Sequence, residues 1–166
     1  MNPWFSVRKD SVVRPDGKPG EYYVVERAGG VGIVAENEDG EYILVGQTRY
    51  PTGEYLYEFC AGIVEDGEDF LEAAQRELRE ETGYEAGEWT LLGEYLNSPG
   101  LMNQGIRVFH AKGVKRGSPS PEGTEDISVK LLSEAELRAL EIGSKPSSHF
   151  LAVLGLYTCM RKDGRK

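Results

Sequence analysis

Apolar and polar positions alternate with the period of strands through most of this chain and change to a helical period in three stretches. Residues 31–36 and 41–48 are two apolar runs flanking Asn37-Glu38-Asp39-Gly40, a hairpin signal. Before them, the turn-rich stretch 12–20, with Pro15-Asp16-Gly17 and Pro19-Gly20, separates an N-terminal segment from a strand at 22–27. Residues 55–61, 88–96, 106–114 and 127–132 read as further strands, with a polar loop over 115–125. The helical period takes over first at 69–82, where Leu71, Ala74 and Leu78 form an apolar stripe and Gly83 supplies a left-handed stop. Ser133-Glu134-Ala135-Glu136 has the form of a capping box opening a second helix. A third helix begins near Ser147 or Ser148 and turns Phe150, Leu151, Leu154 and Tyr157 inward. Many strands with few interspersed helices predict an α+β fold.

The first helix carries the candidate chemistry. At ~100° per residue, Glu77, Glu80 and Glu81 project on one side, about a quarter turn from the apolar stripe, so they border the core face. Like charges one turn apart cost an isolated helix roughly 0.2–0.5 kcal/mol, and a cation reverses that sign. Carboxylate oxygens with room for water suit Mg²⁺ or Mn²⁺. Arg76 reaches Glu72 or Glu80 at four-residue spacing, and Gly62 marks a tight backbone ahead of the helix. A solvated, salt-bridged helix is the bland reading of the acids taken alone.

The whole pattern is more specific. Gly62, five residues, Glu68, seven residues, Arg76-Glu77, an aliphatic, any residue, Glu80-Glu81, any residue and Gly83 resembles the Nudix box throughout; Tyr84 replaces the usual aliphatic after it. The resemblance implies a Nudix-fold α/β/α sandwich with a mixed β-sheet, and a loop–helix–loop holding two or three divalent cations (Mg²⁺ or Mn²⁺) that position water against a phosphorus. It makes Glu77 and Glu81 metal ligands, Glu80 a ligand or close auxiliary, and the backbone carbonyl of Ala61 a further ligand. Glu68 and Arg76 become residues that hold the box together.

Flanking residues resemble a subgroup. Gln47-Thr48-Arg49-Tyr50-Pro51 ahead of Glu58-Phe59-Cys60-Ala61-Gly62 is similar to dimeric ADP-ribose pyrophosphatases, with Cys60 where proline is usual. Pro99 lies sixteen residues beyond Gly83, in Ser98-Pro99-Gly100, as in that signature. Asn103 and Gln104 stand where many relatives carry an acid, and an amide is no general base at neutral pH. Either the base is another acid, with Glu77, Glu80, Glu125 and Glu122 as candidates in descending order, or metal alone supplies hydroxide. Arg49 and Arg107 are the cationic candidates for the diphosphate, against surface ion pairing. Trp4, Phe5, Tyr22, Tyr23 and Tyr50 are candidates to stack a base, against core or interface roles. The resemblance adds that residues 1–28 complete a partner's pocket in a homodimer, which gives Trp4 and Tyr22 a role.

The implied reaction is hydrolysis of a nucleoside diphosphate sugar, ADP-ribose first, to AMP and ribose 5-phosphate. GDP-mannose-type sugars, modified nucleoside triphosphates and a non-catalytic nucleotide sensor are the alternatives.

Composition trims the alternatives. At 166 residues and 39% hydrophobic, residues 1–166 fit one domain with a real core. A net charge of −9 argues against nucleic acid as partner. No apolar run approaches ~18 residues, which argues against a membrane partner. No secretory start is visible, and two isolated cysteines, Cys60 and Cys159, suit a reducing cytoplasm. Residues 161–166 read as a frayed basic tail, and neither His110 nor His149 is assigned a catalytic part.

Overall fold

The structure, a computed structural model, describes residues 4–117, 127–143 and 145–162. The strands are β1 (Ser6–Val13), β2 (Pro19–Glu26), β3 (Gly30–Asn37), β4 (Tyr42–Arg49), β5 (Glu54–Glu58), β6 (Cys60–Ile63), β7 (Tyr84–Glu85), β8 (Glu88–Leu96), β9 (Gly105–Arg116) and β10 (Ser128–Leu132). The helices are α1 (Phe70–Thr82), α2 (Glu134–Gly143) and α3 (Ser148–Lys162).

Strands β3 to β10 form one mixed sheet in which β3 and β9 run parallel and the other pairs are antiparallel. Alternation along β3 decides which helix each residue meets. Val31, Ile33 and Ala35 face α1, where they pack with Ala73, Ala74, Leu78 and Phe109. Val34 faces the opposite layer with Tyr42, Phe59, Phe150, Val153 and Leu154. Gly32 is on that face too: a Cβ there would meet His149 at 2.9 Å and Val153 at 3.0 Å, so glycine lets α3 settle onto the sheet. The result is the expected α/β/α sandwich, with α1 on one side and α2 and α3 on the other.

Strand β3 divides its edge between two partners. Its second half pairs with β4, at Ala35 and Glu36, while its first half, Gly30 to Ile33, pairs with β6. The run 55–61 is therefore two strands broken at Phe59, and the second half is wedged beside β3 where the acid helix begins. The strands β1 and β2 make a separate two-stranded sheet around the turn 14–18, closed by Gly17 at φ +80°. This hairpin is tied on by Val25 N–H donating to Leu101 O at 2.9 Å and by Tyr22 Oη donating to Gly100 O at 2.7 Å.

Three expectations need correction. Leu71 is exposed and Ala73 is buried, so the stripe on α1 is Ala73, Ala74 and Leu78 with Phe70 at its edge; Leu71 lies in the first turn, ahead of the sheet contact. Leu151 is likewise exposed on α3, and Val153 takes the inward position. Arg161 and Lys162 are the last residues of α3, not a tail: Arg161 Nη1 donates to Tyr42 Oη at 3.1 Å and the guanidinium lies over the Tyr157 ring. The proposed capping box at Ser133 and Glu136 is present, with reciprocal bonds of 2.9 and 3.4 Å. Among the described residues no helix is long and apolar enough to cross a membrane.

Candidate active site

Helix α1 is fixed at both ends by its own sequence. Asp69 accepts from Leu71 N–H and Glu72 N–H at 2.8 and 2.9 Å, while Glu72 returns a bond to Asp69 N–H at 3.0 Å. Gly83 closes the helix at φ +73° and donates to Arg79 O at 2.9 Å. Glu72 is committed to the cap, which is why Arg76 does not use it.

Arg76 instead gathers the box. Its Nε and Nη2 donate to the two oxygens of Glu68 at 2.9 and 3.0 Å, and Nη2 also reaches Ile63 O at 2.9 Å. Its Nη1 is shared between Glu77 Oε1 at 2.9 Å and Glu80 Oε2 at 3.1 Å. One guanidinium thus ties the loop, the end of β6 and two helix acids together. The bond from Arg76 holds the Glu68 carboxyl below the usual carboxylate range, and the Glu68 contact pushes the arginine's own pKa up. Glu77 moves the other way: burial raises its carboxyl more than Arg76 lowers it. Burial also keeps the Cys60 thiol protonated, with Glu81 adding to the effect.

Close approach of β6 to α1 explains Gly62. A Cβ there would sit 1.8 Å from Glu77 Cδ and Oε1, so only glycine leaves the carboxylate its place. On the neighbouring residue, Ala61 N–H donates to Glu81 Oε2 at 3.2 Å.

These groups line a cleft of about 1020 Å³, large for the ~300–1,000 Å³ usual in small-molecule sites. From α1 come Arg76, Glu77, Glu80 and Glu81; from β6, Ala61 and Gly62; from the strand ends, Arg49 and Arg27; from the N-terminal side, Trp4 and Phe5; and beyond the Pro99 turn, Asn103. Arg49 Nε donates to Glu58 at 2.7 Å, and that carboxylate is almost fully buried.

The other candidates stand elsewhere. Arg107 stacks on Phe70 at 4.0 Å and pairs with Glu94 at 3.2 Å, outside the residues that line the cleft. Tyr50 is 95% exposed and also outside that lining, as are Pro99, Gly100 and Tyr22. The Pro99 turn contributes indirectly, through Ser98 at φ +50° and the chain it delivers to Asn103. Glu122 and Glu125 lie outside the described residues. Gln104 is buried: its amide donates to Ala28 O at 2.9 Å and accepts from Asn97 at 3.0 Å, a pairing that needs a donor and an acceptor on one side chain.

Three carboxylates and backbone carbonyl oxygen are a hard donor set that fits a small divalent cation. As they stand, no three His, Cys, Asp or Glu side chains among the described residues are gathered tightly enough to hold an ion. The reason is visible: Arg76 occupies the space between Glu77 and Glu80, and Glu81 is turned onto Ala61 N–H. Arg27 and Glu58 were not singled out from sequence. A lone arginine after a strand reads as a solvated charge, and nothing in local periodicity marks Glu58 as the buried partner of Arg49.

Comparison with known proteins agrees with the geometry. The NUDIX domain matches residues 26–154, and the nucleoside diphosphate sugar hydrolase N-terminal domain matches residues 2–25. An ADP-ribose pyrophosphatase of Mycobacterium tuberculosis is 37% identical over 123 residues, 73% of this chain and 59% of that protein. One of Bacillus subtilis is 32% identical over 133 residues, 80% of this chain and 72% of that protein. A methanol dehydrogenase activator of Bacillus methanolicus is 33% identical over 74% of this chain and 66% of its own length. The chain thus spans between 59 and 72% of these relatives. In structure, an ADP compounds hydrolase superposes with a TM-score of 0.83 over 100% of this chain and 91% of its own; at 23% identity that likeness speaks for the fold. With the box residues, the cleft and the sandwich in agreement, the chain belongs to the NUDIX domain family.

Proposed function

We propose that this protein hydrolyses the pyrophosphate bond of a nucleoside diphosphate sugar, with ADP-ribose as the first substrate to test and AMP and ribose 5-phosphate as its products. The observation that carries the reading is the meeting of Glu77, Glu80 and Glu81 with Arg49 in one cleft. The names of the relatives and the match over residues 2–25 support the substrate class.

Glu77, Glu80, Glu81 and the Ala61 carbonyl are the proposed holders of two to three Mg²⁺ or Mn²⁺ ions. Such cations supply positive charge against the phosphate oxygens and make a bound water acidic near neutral pH. Glu77 is the first candidate base: Oε1 is taken by Arg76, which leaves Oε2 to receive a proton from the attacking water. Arg49, braced by Glu58, binds phosphate oxygens through its remaining donors. Trp4 provides an aromatic face in the same cleft for a nucleobase.

A homodimer belongs to the same proposal. The β1–β2 hairpin exposes Val7, Val13, Tyr22 and Tyr23, and a second copy of the chain is the proposed cover. Light scattering that gives a monomer with full activity would remove it. Both cysteines are free thiols, which suits a reducing cytoplasm.

The test is a panel of nucleotide sugars and nucleoside triphosphates with Mg²⁺ or Mn²⁺, read by product identification. The expected result is a nucleoside monophosphate and a sugar phosphate from ADP-ribose, lost in Glu81→Gln. Nucleotide binding with no product from any compound would instead support the sensor reading.

A further inference from the structure

Glu58 is a carboxylate only 3% exposed, tied to the cleft by the bond from Arg49 Nε at 2.7 Å. A charge at that depth persists only where its surroundings hold it. Backbone pairing does so on one side alone: the ladder on β4 ends at Glu58, and the ladder on β3 starts again at Cys60. The carboxylate that orients Arg49 therefore stands at a junction between two ladders, with Phe59 as the break.

Helix α3 is seated on that junction. Ser147 Oγ accepts from Phe150 N–H at 3.1 Å, and the Phe150 ring stacks on Phe59 with centroids 5.2 Å apart. His149, beside it, lies over Gly32, whose partner on β6 is Ala61. From β8, the Tyr95 hydroxyl meets His149 Nδ1 at 2.7 Å. The other ring nitrogen, Nε2, is buried and is the one such side-chain atom among the described residues without a hydrogen-bond partner. Leaving it so is costly unless nearby charge compensates.

Glu58 supplies that charge. Burial, and then the Glu58 carboxylate, push the Tyr95 hydroxyl up to about 12, so it keeps its proton and donates. Burial lowers His149 from the ordinary 6.5, with Glu58 and the Phe59 carbonyl acting against it, so near neutral pH the ring is uncharged and carries one N–H. A phenol that donates to Nδ1 leaves that N–H on Nε2.

We propose that His149 is a positioning residue that acts on the diphosphate through Arg49. Tyr95 holds the ring in the Nε2–H tautomer, that N–H attracts the acceptors of the Glu58–Phe59 junction, and the junction keeps the Glu58 carboxylate on Arg49 Nε, leaving both Nη groups for phosphate oxygens. The inference rests on the diphosphate reading above and deepens it: Arg49 meets the ligand, whereas His149 and Tyr95 lie outside the residues that line the cleft.

The experiment is a double-mutant cycle with a spectroscopic check. Tyr95→Phe removes only the hydroxyl, His149→Phe removes both ring nitrogens, and His149→Gln restores a donor and an acceptor. Each is made in wild type and in Arg49→Ala. ADP is titrated calorimetrically without divalent cation, with uncharged adenosine as control, and kinetics on ADP-ribose with Mg²⁺ follow. In the wild-type background Tyr95→Phe and His149→Phe are expected to weaken ADP binding and raise KM about 3- to 10-fold, with kcat within about twofold and adenosine binding unchanged. His149→Gln should recover part of the loss. In the Arg49→Ala background the same substitutions should change kcat/KM by less than about twofold, because the group they act through is gone. Imidazole ¹⁵N shifts should show the proton of His149 on Nε2 in wild type and a mixture of tautomers in Tyr95→Phe.

Losses that persist undiminished in Arg49→Ala, or a wild-type proton on Nδ1, overturn the inference. If wild type hydrolyses ADP-ribose and both phenylalanine variants match it in KM, the inference falls while the proposed function stands. If wild type hydrolyses nothing, yet binds ADP in a manner that His149→Phe weakens only when Arg49 is present, the function falls and the inference stands. If wild type neither binds ADP nor hydrolyses ADP-ribose, both fall.

Discussion

Gly62→Ala isolates the contact on which the acid cluster depends. Glycine here shows no left-handed φ, so the substitution acts through space alone. The new methyl group would lie 1.8 Å from the Glu77 carboxyl carbon and 2.4 Å from Cγ, against 3.4 Å for ordinary contact. Glu77 must then retreat by at least about 1.6 Å, the difference between those values. Its side chain is flexible, so the fold survives. The bond from Arg76 at 2.9 Å, between side chains only 19% and 15% exposed, does not survive the retreat. A charge-assisted bond of this kind contributes roughly 1.5–3 kcal/mol. At about 2–4 °C per kcal/mol in a domain of this size, melting should fall by about 3–12 °C. Displacement of a catalytic group by more than about 1 Å costs on the order of 100-fold in rate. Thermal melting and kcat/KM on ADP-ribose should therefore both drop. The cause can be checked in a double-mutant cycle with Glu77→Ala: removing the carboxylate should relieve most of the stability penalty of the methyl group. A Gly62→Ala protein with wild-type melting and activity would show that a methyl group fits beside Glu77 without moving it.

Gly83→Ala should do the opposite in kind: φ is +73° with open space around the Cβ, so about 1 kcal/mol of stability is lost with activity unchanged in the same assays. Arg76→Ala strands Glu68 and Glu77 without their partner. Urea unfolding should show a loss of about 3 kcal/mol or more, because breaking a mostly buried pair leaves uncompensated charge. His110 and His149 both have pKa values lowered by burial from the ordinary 6.5. The unfolded chain therefore binds protons first, and the stability these groups contribute is present above pH 6.5 and lost as pH falls through the depressed folded values. Melting followed from pH 8 to 5 should decline below 6.5, and the decline should shrink in His149→Phe.

Much of this site is legible in the sequence. Asp69 and Gly83 announced the ends of α1, and the spacing of Glu77, Glu80 and Glu81 put them at the border of the buried face, where Glu77 and Glu81 are half-buried. Helical spacing failed where tertiary contact decides. Leu71 and Leu151 fit an apolar stripe, yet the sheet meets Ala73 and Val153 instead. Four-residue rules paired Arg76 with Glu72 or Glu80; its pair of bonds to Glu68, eight residues away, depends on how the loop folds back over the helix. Arg27 acquired its place only when β2 delivered it beside β6 and α1, a juxtaposition that no local pattern encodes.

The proposed function stands on the acids of α1 holding divalent cations for cleavage of a diphosphate. Calorimetric titration of Mn²⁺, with AMP present, into wild type and into a Glu77→Gln, Glu81→Gln double variant tests it most directly. Wild type should show saturable uptake and the variant should lose it while still melting cooperatively. Equal uptake by both proteins, or none by wild type, would contradict it.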